Sequence, residues 1–267
     1  MGDLLKGKRG LVMGVANERS IAWGIARAMA DQGAELAFSY QGEAFGKRVE
    51  PLAASVGSDF LVDVDVTDDA SLDAAFGAIA ERWGRLDFVI HAIAFSNKDE
   101  LTGRFMNTSR ANFGRSLEIS CYSLIEVARR AHPLMAAQDG SGGGSIITLT
   151  YGGSNRVTPL YNVMGVAKAA LESSVRYLAN DLGPDNIRVN AISPGPMKTL
   201  AGAAIGGARK TFRHTEANAP LRANATLDAI GGTAVWLTSD WGACTTGEIV
   251  MVDGGYHVLG MPQSENL

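Results

Sequence analysis

The sequence predicts a doubly wound α/β fold: one seven-stranded parallel sheet flanked by helices on both faces. Short β-branched runs alternate with Ala-rich amphipathic stretches along the whole chain, the pattern of repeated strand–helix–strand units. The inner runs LDFVIHAIA (86–94) and GSIITLT (144–150) are apolar almost without a break, as strands covered on both sides are. A length of 267 residues, 46% of them hydrophobic and 19% charged, excludes a disordered or fibrous chain and suits one large domain.

In chain order, the first strand is expected over Arg9–Val15 (RGLVMGV), followed by a helix over 20–32. Glu35–Tyr40 (ELAFSY) is the second strand, with a helix over 42–54, and Phe60–Val66 (FLVDVDV) is the third, with a helix over 69–83. Leu86–Ile93 forms the fourth strand, and a long amphipathic stretch over 107–137 reads as one helix. Ser145–Thr150 is the fifth strand, the helix over 159–182 follows, and Ile187–Ile192 is the sixth. A last helix over 226–239 leads to the seventh strand, Glu248–Val252. Each helical stretch repeats apolar residues at three- and four-residue spacing. No composition shift marks a boundary, so residues 1–267 read as a single domain. Two segments break the alternation, 95–107 and 194–219. Both follow strand ends, where parallel sheets bind ligands, and the second is expected to be a substrate-loop insertion.

Lys and Arg total 24 against 28 Asp and Glu, and the net charge of −4 gives no electrostatic basis for binding nucleic acid. The N-terminal stretch is too short in apolar residues for a secretory signal, Lys6 stands where myristoylation needs Ser or Thr, and no run approaches the ~18 apolar residues that span a bilayer. Cys121 and Cys244 are far apart and lack partners at metal-ligand spacing, so neither a disulfide framework nor a metal site is expected. These features imply a soluble, cytoplasmic protein without membrane attachment.

After the first strand, GVANERSIAWG (14–24) makes a small-residue turn into a helix. Its spacing is not G-x-G-x-x-G, but Gly14 permits a tight turn, and a helix opening near Ser20 aims free N–H groups at an anion such as a pyrophosphate. Ser20 is also placed to cap that helix. Such a turn is common in purely structural settings, and its position after strand one makes a Rossmann-like site the better reading. At the end of strand two an acidic residue would select a free ribose 2′-hydroxyl. Gln41 stands there: it neither repels a 2′-phosphate nor offers it a cation, so NADH is favoured over NADPH. Asp65 and Val66 follow strand three, offering a carboxylate or backbone acceptor and an apolar wall to an adenine, or forming a solvated turn.

Beyond strand five come Tyr151 and then Tyr161-Asn-Val-Met-Gly-Val-Ala-Lys168. Seven residues in a helix are close to two turns, so Tyr161 and Lys168 are expected on one face, a phenol beside an ammonium that stabilises its phenolate. Tyr151 either meets a substrate or packs beside it. His91 reads as a satisfied structural histidine, and His132, His214 and His257 have no visible catalytic partner.

On these motifs the sequence resembles the short-chain dehydrogenase/reductase superfamily and, within it, the NADH-dependent enoyl-acyl-carrier-protein reductases of bacterial fatty-acid synthesis. The carriers are GVANERSIAWGIA, Gln41, the Asp65-Val66 pair, HAIAF (91–95), YNVMGVAKAAL (161–171), RVNAISPGPMKTLA (188–201) and VDGG (252–255). The commoner branch, which reduces ketones or oxidises alcohols, has Tyr and Lys four apart; here Gly165 holds that place and Lys168 comes at seven. A ketoreductase or alcohol dehydrogenase would need the shorter spacing, and a non-catalytic nucleotide sensor would commonly lose the Tyr and Lys. The resemblance implies catalytic roles for Tyr151, Tyr161 and Lys168. It implies cofactor contacts from Gly14, Ser20, Ile21, Gln41, Asp65, Val66, Ile93 and Lys168 and from Met197, Lys198, Thr199, Leu200 and Ala201, and a substrate contact from Ser96. It also implies an acyl carrier protein as partner and a homotetramer, the stretches 107–137 and 159–182 being long enough for interfaces.

Residues 199–207 combine apolar side chains with three glycines, which suits a mobile substrate loop better than a plain helix. Phe95, Met164, Ile205 and Phe212 are candidate channel walls. Lys198, Arg209, Lys210 and Arg213 are candidates for receiving an acidic carrier, or form a solvated face.

Overall fold

Seven parallel strands line up in the order β3-β2-β1-β4-β5-β6-β7. They are β1 (Arg9–Met13), β2 (Glu35–Tyr40), β3 (Phe60–Asp63), β4 (Phe88–His91), β5 (Gly144–Leu149), β6 (Ile187–Pro194) and β7 (Ile249–Val252). The structure, a computed structural model, describes residues 2–136, 143–200, 202 and 207–266. The helices are α1 (Ile21–Asp31), α2 (Glu43–Ser55), α3 (Asp69–Trp83), α4 (Arg110–Leu117), α5 (Ser123–Met135), α6 (Val163–Leu182), α7 (Ala208–Asn218) and α8 (Leu227–Thr238).

Successive strand residues point to opposite faces, and the burial follows that period of two. On one face Leu11 and Met13 of β1, Val89 of β4, Ile146 of β5 and Val189 of β6 pack beneath α3, α5 and α6. On the other, Val12, Ile90, Ile147 and Ile192 pack beneath α1, α2 and α8. Three helices, α3, α4 and α8, start where a short polar side chain satisfies a free N–H group: Asp68 accepts from Ala70, Ser109 from Asn112 and Thr226 from Ala229. Arg130 of α5 binds Asp69 and Asp73 of α3 together with the buried Glu126, locking those two helices side by side.

Three expectations need correction. The stretch 107–137 is not one helix: α4 ends at Leu117, the five residues Glu118–Tyr122 form a π turn, and α5 starts at Ser123. The helix expected over 159–182 begins only at Val163. The 194–219 segment is not all irregular, because Ala208–Asn218 forms α7. Four predicted strands also end before the predicted boundary, β1 at Met13, β3 at Asp63, β4 at His91 and β5 at Leu149, which leaves the candidate site residues in the turns beyond them.

Helices α1 and α8 cross at glycine. A Cβ on Gly231 would lie 2.7 Å from the Ala28 methyl and 3.0 Å from the Gly24 carbonyl oxygen. Gly231→Val is therefore expected to lower the unfolding free energy by about 1–3 kcal/mol through overpacking. Urea titration of the purified protein measures this, and an unchanged midpoint would show that the crossing relaxes freely.

Candidate functional site

In a parallel sheet every strand ends at the same edge, and here the sequence-predicted residues gather along that edge. Gly14 follows β1, Gln41 follows β2, Asp65 and Val66 follow β3, Ile93 follows β4, Tyr151 follows β5, and Met197–Leu200 follow β6. Between β1 and β4 the winding reverses, because β2 and β3 lie to one side of β1 and β5 to β7 to the other side of β4. Ligands bind at such a switch point.

Gly14 sits in that crevice with φ +94°, a conformation that disfavours side chains, and a Cβ there would lie 2.2 Å from the Ala92 carbonyl oxygen. The turn after it closes in an unexpected way. Ser20 occupies the N-cap of α1 but does not cap it: its Oγ points back and accepts from the N–H groups of Ala16 and Asn17 at 3.0 and 3.1 Å. The N–H groups at the start of α1, from Ile21 on, are thus left without a side-chain cap at the crevice. Across it, Met197, Lys198, Thr199 and Leu200 border a cleft of about 630 Å³ together with Asn17, Arg19 and Phe212. Four cations, Arg19, Lys198, Arg209 and Arg213, line it against two carboxylates, Glu18 and Glu216, and with the bare backbone turn and uncapped helix start that balance fits the pyrophosphate of a dinucleotide. Ala201 and Ile205 lie outside the described residues.

Beyond the end of β2, Gln41 is exposed. Asp65 Oδ1 accepts from the Thr67 hydroxyl and N–H at 2.7 and 2.9 Å, and those bonds, with help from Gln41, hold its carboxyl below the usual range. Ile93 is half-buried against the sheet core. The Ser96 hydroxyl is tied to the buried Asn112 of α4, whose Nδ2 donates to it at 3.2 Å.

Tyr161 is buried but not helical. It lies in the turn before α6, so helical phase does not bring it to Lys168. It is flanked by two non-glycine residues in left-handed conformations, Leu160 (φ +67°) and Asn162 (φ +42°), a strain of about 1–3 kcal/mol each. Asn162 Nδ2 donates to the carbonyls of Glu100, Leu101 and Gly103, binding this turn to the segment after β4. Tyr161 packs with Leu101, Val163 and Met164, and its ring meets Tyr151 edge-on with centroids 5.1 Å apart. Burial, Tyr151 and the Glu172 carboxylate all push its phenol well above the ordinary value. At the fourth position after Tyr161, a Cβ on Gly165 would lie 2.7 Å from the Gly153 carbonyl oxygen, which leaves no room for a lysine there.

Lys168 is buried on α6, and its Nζ donates to the Leu149 carbonyl at 2.7 Å. Burial pulls its ammonium down to about 8, against the opposing pull of Cys121 and Glu172. Below it, His91 is fully buried between Thr148 Oγ1 (3.0 Å) and Ser123 Oγ (2.8 Å). Since the Ser123 hydroxyl already donates to Ile119 O at 2.6 Å, it accepts from His91 Nε2–H, while the single Thr148 hydroxyl proton lies between His91 Nδ1 at 3.0 Å and the His91 carbonyl oxygen at 3.1 Å. The same π turn is pinned at Ser120, which accepts from Phe95 N and donates to Phe95 O.

Sheet order, the switch-point turn, the Tyr151–Tyr161 pair and the buried Lys168 define the class: a dinucleotide-dependent α/β oxidoreductase. The sequence profile of the family described as Enoyl-(Acyl carrier protein) reductase matches residues 14–257. The chain is 59% identical over all of its length, and 98% of the relative's, to Enoyl-[acyl-carrier-protein] reductase [NADH] 2 of Rhizobium meliloti strain 1021. Crystal structures of FabI from Candidatus Liberibacter asiaticus (53% identity, TM-score 0.95, 98% and 100% coverage) and of the enoyl reductase of Anaplasma phagocytophilum in complex with NAD (54%, 0.94, 98% of both chains) share its fold. The chain belongs to the enoyl-acyl-carrier-protein reductase family of short-chain dehydrogenase/reductases.

Sequence reasoning missed Asn162, Asn112, Thr150 and Glu172. Glu172 alone left a readable signal, an acid beside Leu171 and three residues before Val175 on the apolar side of α6.

Burial and the neighbouring Lys168 depress His91 to about 3, from 6.5. Unfolded chains take up this proton below 6.5 and folded ones do not, so the stability is complete above 6.5 and lost as pH falls from 6.5 towards 3. Urea midpoints measured across that window are expected to fall, and His91→Asn is expected to flatten the slope. An equally steep slope in the variant would assign it to other groups.

Proposed function

We propose that this chain reduces the trans-2 double bond of enoyl-acyl-carrier-protein thioesters with NADH, at the carboxyl edge of its sheet. The observation that carries the reading is the Tyr151–Tyr161 pair beyond the end of β5, with Lys168 buried on the Leu149 carbonyl of that same strand, in a chain 59% identical end to end to an NADH enoyl-acyl-carrier-protein reductase.

When bound, NADH supplies hydride to the β-carbon of the enoyl thioester. Gly14, Ser20 and Ile21 hold the pyrophosphate side; Gln41, Asp65 and Val66 the adenosine side; Ile93 and Met197 to Ala201 the nicotinamide side. Lys168 uses one N–H on Leu149 and keeps two for the nicotinamide ribose. Tyr161 stays protonated because its phenol is raised, so it can donate to the thioester oxygen as negative charge builds there. Tyr151 braces the Tyr161 ring, and Ser96 stands on the substrate side. All 267 residues work as one dinucleotide-binding and catalytic domain, with 194–219 as its substrate insertion.

The acidic carrier approaches α7, where Arg209, Lys210 and Arg213 are exposed and, among the described residues, have no ion-pair partner; Lys198 stacks over Phe212 beside them. A homotetramer is supported by exposed apolar side chains on adjoining elements, Phe113 on α4, Tyr122 in the π turn, and Val166 and Tyr177 on one face of α6. No described helix is long and apolar enough to cross a membrane. Cys244 is an exposed free thiol, which suits the reducing cytoplasm.

Following loss of nicotinamide absorbance with a trans-2-enoyl and a 3-ketoacyl thioester is expected to show NADH oxidation, faster than NADPH, by the enoyl substrate alone. Turnover of only the ketoacyl substrate would replace the reading with a ketoreductase. Tyr161→Phe is expected to lower kcat by on the order of 10²-fold with an unchanged thermal midpoint, and undiminished turnover would remove Tyr161 from its role.

A further inference from the structure

Glu172 is a buried carboxylate that, among the described residues, has no ion-pair partner. Other buried carboxylates are answered by charge or potential charge: Glu126 by Arg129 and Arg130, Asp253 by His257. Glu172 instead accepts the Thr150 hydroxyl at 2.6 Å. A buried anion is costly unless something nearby favours it, and Glu172 lies one helical turn beyond Lys168 on α6. The two side chains grip neighbouring residues at the end of β5: Lys168 the Leu149 carbonyl and Glu172 the Thr150 hydroxyl. The next residue is Tyr151.

We propose that Glu172 is a positioning residue of the reductase site: its charge keeps the Lys168 ammonium protonated, and its bond to Thr150 fixes the strand end from which Tyr151 departs. This rests on the assignment of Lys168 to the cofactor. The other groups facing Lys168 are His91 from β4 and Cys121 from the π turn. His91, depressed to about 3, is neutral near pH 7. Cys121 is removed as a variable by working in a Cys121→Ala background. Tyr161, which also faces Glu172, is raised out of the neutral range. Of the two groups that oppose the effect of burial on Lys168, Cys121 and Glu172, only Glu172 remains in that background.

The test is NADH affinity against pH, by fluorescence titration without substrate. The wild-type chain is expected to lose affinity as pH rises through about 8. Glu172→Gln keeps an acceptor for Thr150 but removes the charge, and is expected to move that limb down by about one pH unit. On that basis the affinity loss is about fivefold at pH 8 and under about twofold at pH 6. Glu172→Asp, which keeps the charge, recovers most of the displacement. A merely structural residue would weaken binding equally at both pH values. If the Gln variant does not fold, Glu172→Met with Thr150→Val removes both polar groups together and carries the same expectation. A limb left in place by loss of the charge, or moved as far by Asp as by Gln, overturns the proposal alone. A wild-type chain with no alkaline limb overturns the Lys168 assignment and the proposal with it.

Discussion

The reversal of winding between β1 and β4 is the constraint on which the rest depends. All seven strands run parallel, so each ends at the same edge, and only at this pair do the following segments leave in opposite directions. The crevice between them stays uncovered, and the chain needs glycine at its floor, where a Cβ on Gly14 would strike the Ala92 carbonyl. The turn shaped by Ser20, the uncapped start of α1 and the 197–200 segment across the cleft are all arranged around that opening.

A second theme is the polar chemistry held inside. His91, Thr148, Ser123, Thr150, Lys168 and Glu172 are all buried at or beneath the ends of β4 and β5. Such a network is costly if incomplete and rigid if satisfied. Here each member has a partner: Lys168 a carbonyl, Glu172 a hydroxyl, and His91 a hydroxyl at each ring nitrogen. That rigidity supports the strain around Tyr161, where Leu160 and Asn162 are held in left-handed conformations by contacts reaching the segment after β4. The seven-residue spacing from Tyr161 to Lys168 belongs to this arrangement: Tyr161 enters from a strained turn, and Gly165 lets the 151–154 loop lie against α6.

Much of this was legible in the chain itself. All seven strands were placed by their apolar runs, and the glycine turn, both tyrosines and the lysine were picked out by residue type and spacing. The errors share one cause, which is that local periodicity does not report where a helix must yield to its neighbours. The stretch 107–137 is amphipathic throughout, yet Ser120 and Ser123 bond to Phe95 and His91, groups on another element, and the helix widens into a π turn there. Tyr161 looks like the first residue of a helix, but Asn162 is drawn to the carbonyls of residues 100–103 and delays the start to Val163. Ser20 reads as a cap, and its hydroxyl instead turns back to the preceding loop.

The sequence by itself determined the alternation of strands and helices, hence a parallel sheet, and the residue types that such a sheet gathers along its carboxyl edge. That information is local, written in hydrophobic period and in glycine placement. Only the tertiary structure decided how the gathered groups face one another: that Lys168 spends a proton on Leu149, that Tyr161 rests on Tyr151 and that Glu172 answers Thr150. These are contacts between the end of β5 and the turn and helix that follow it, set by how that helix docks on the sheet. Their geometry depends on packing distances of a few tenths of an ångström, which no spacing along a single helix encodes.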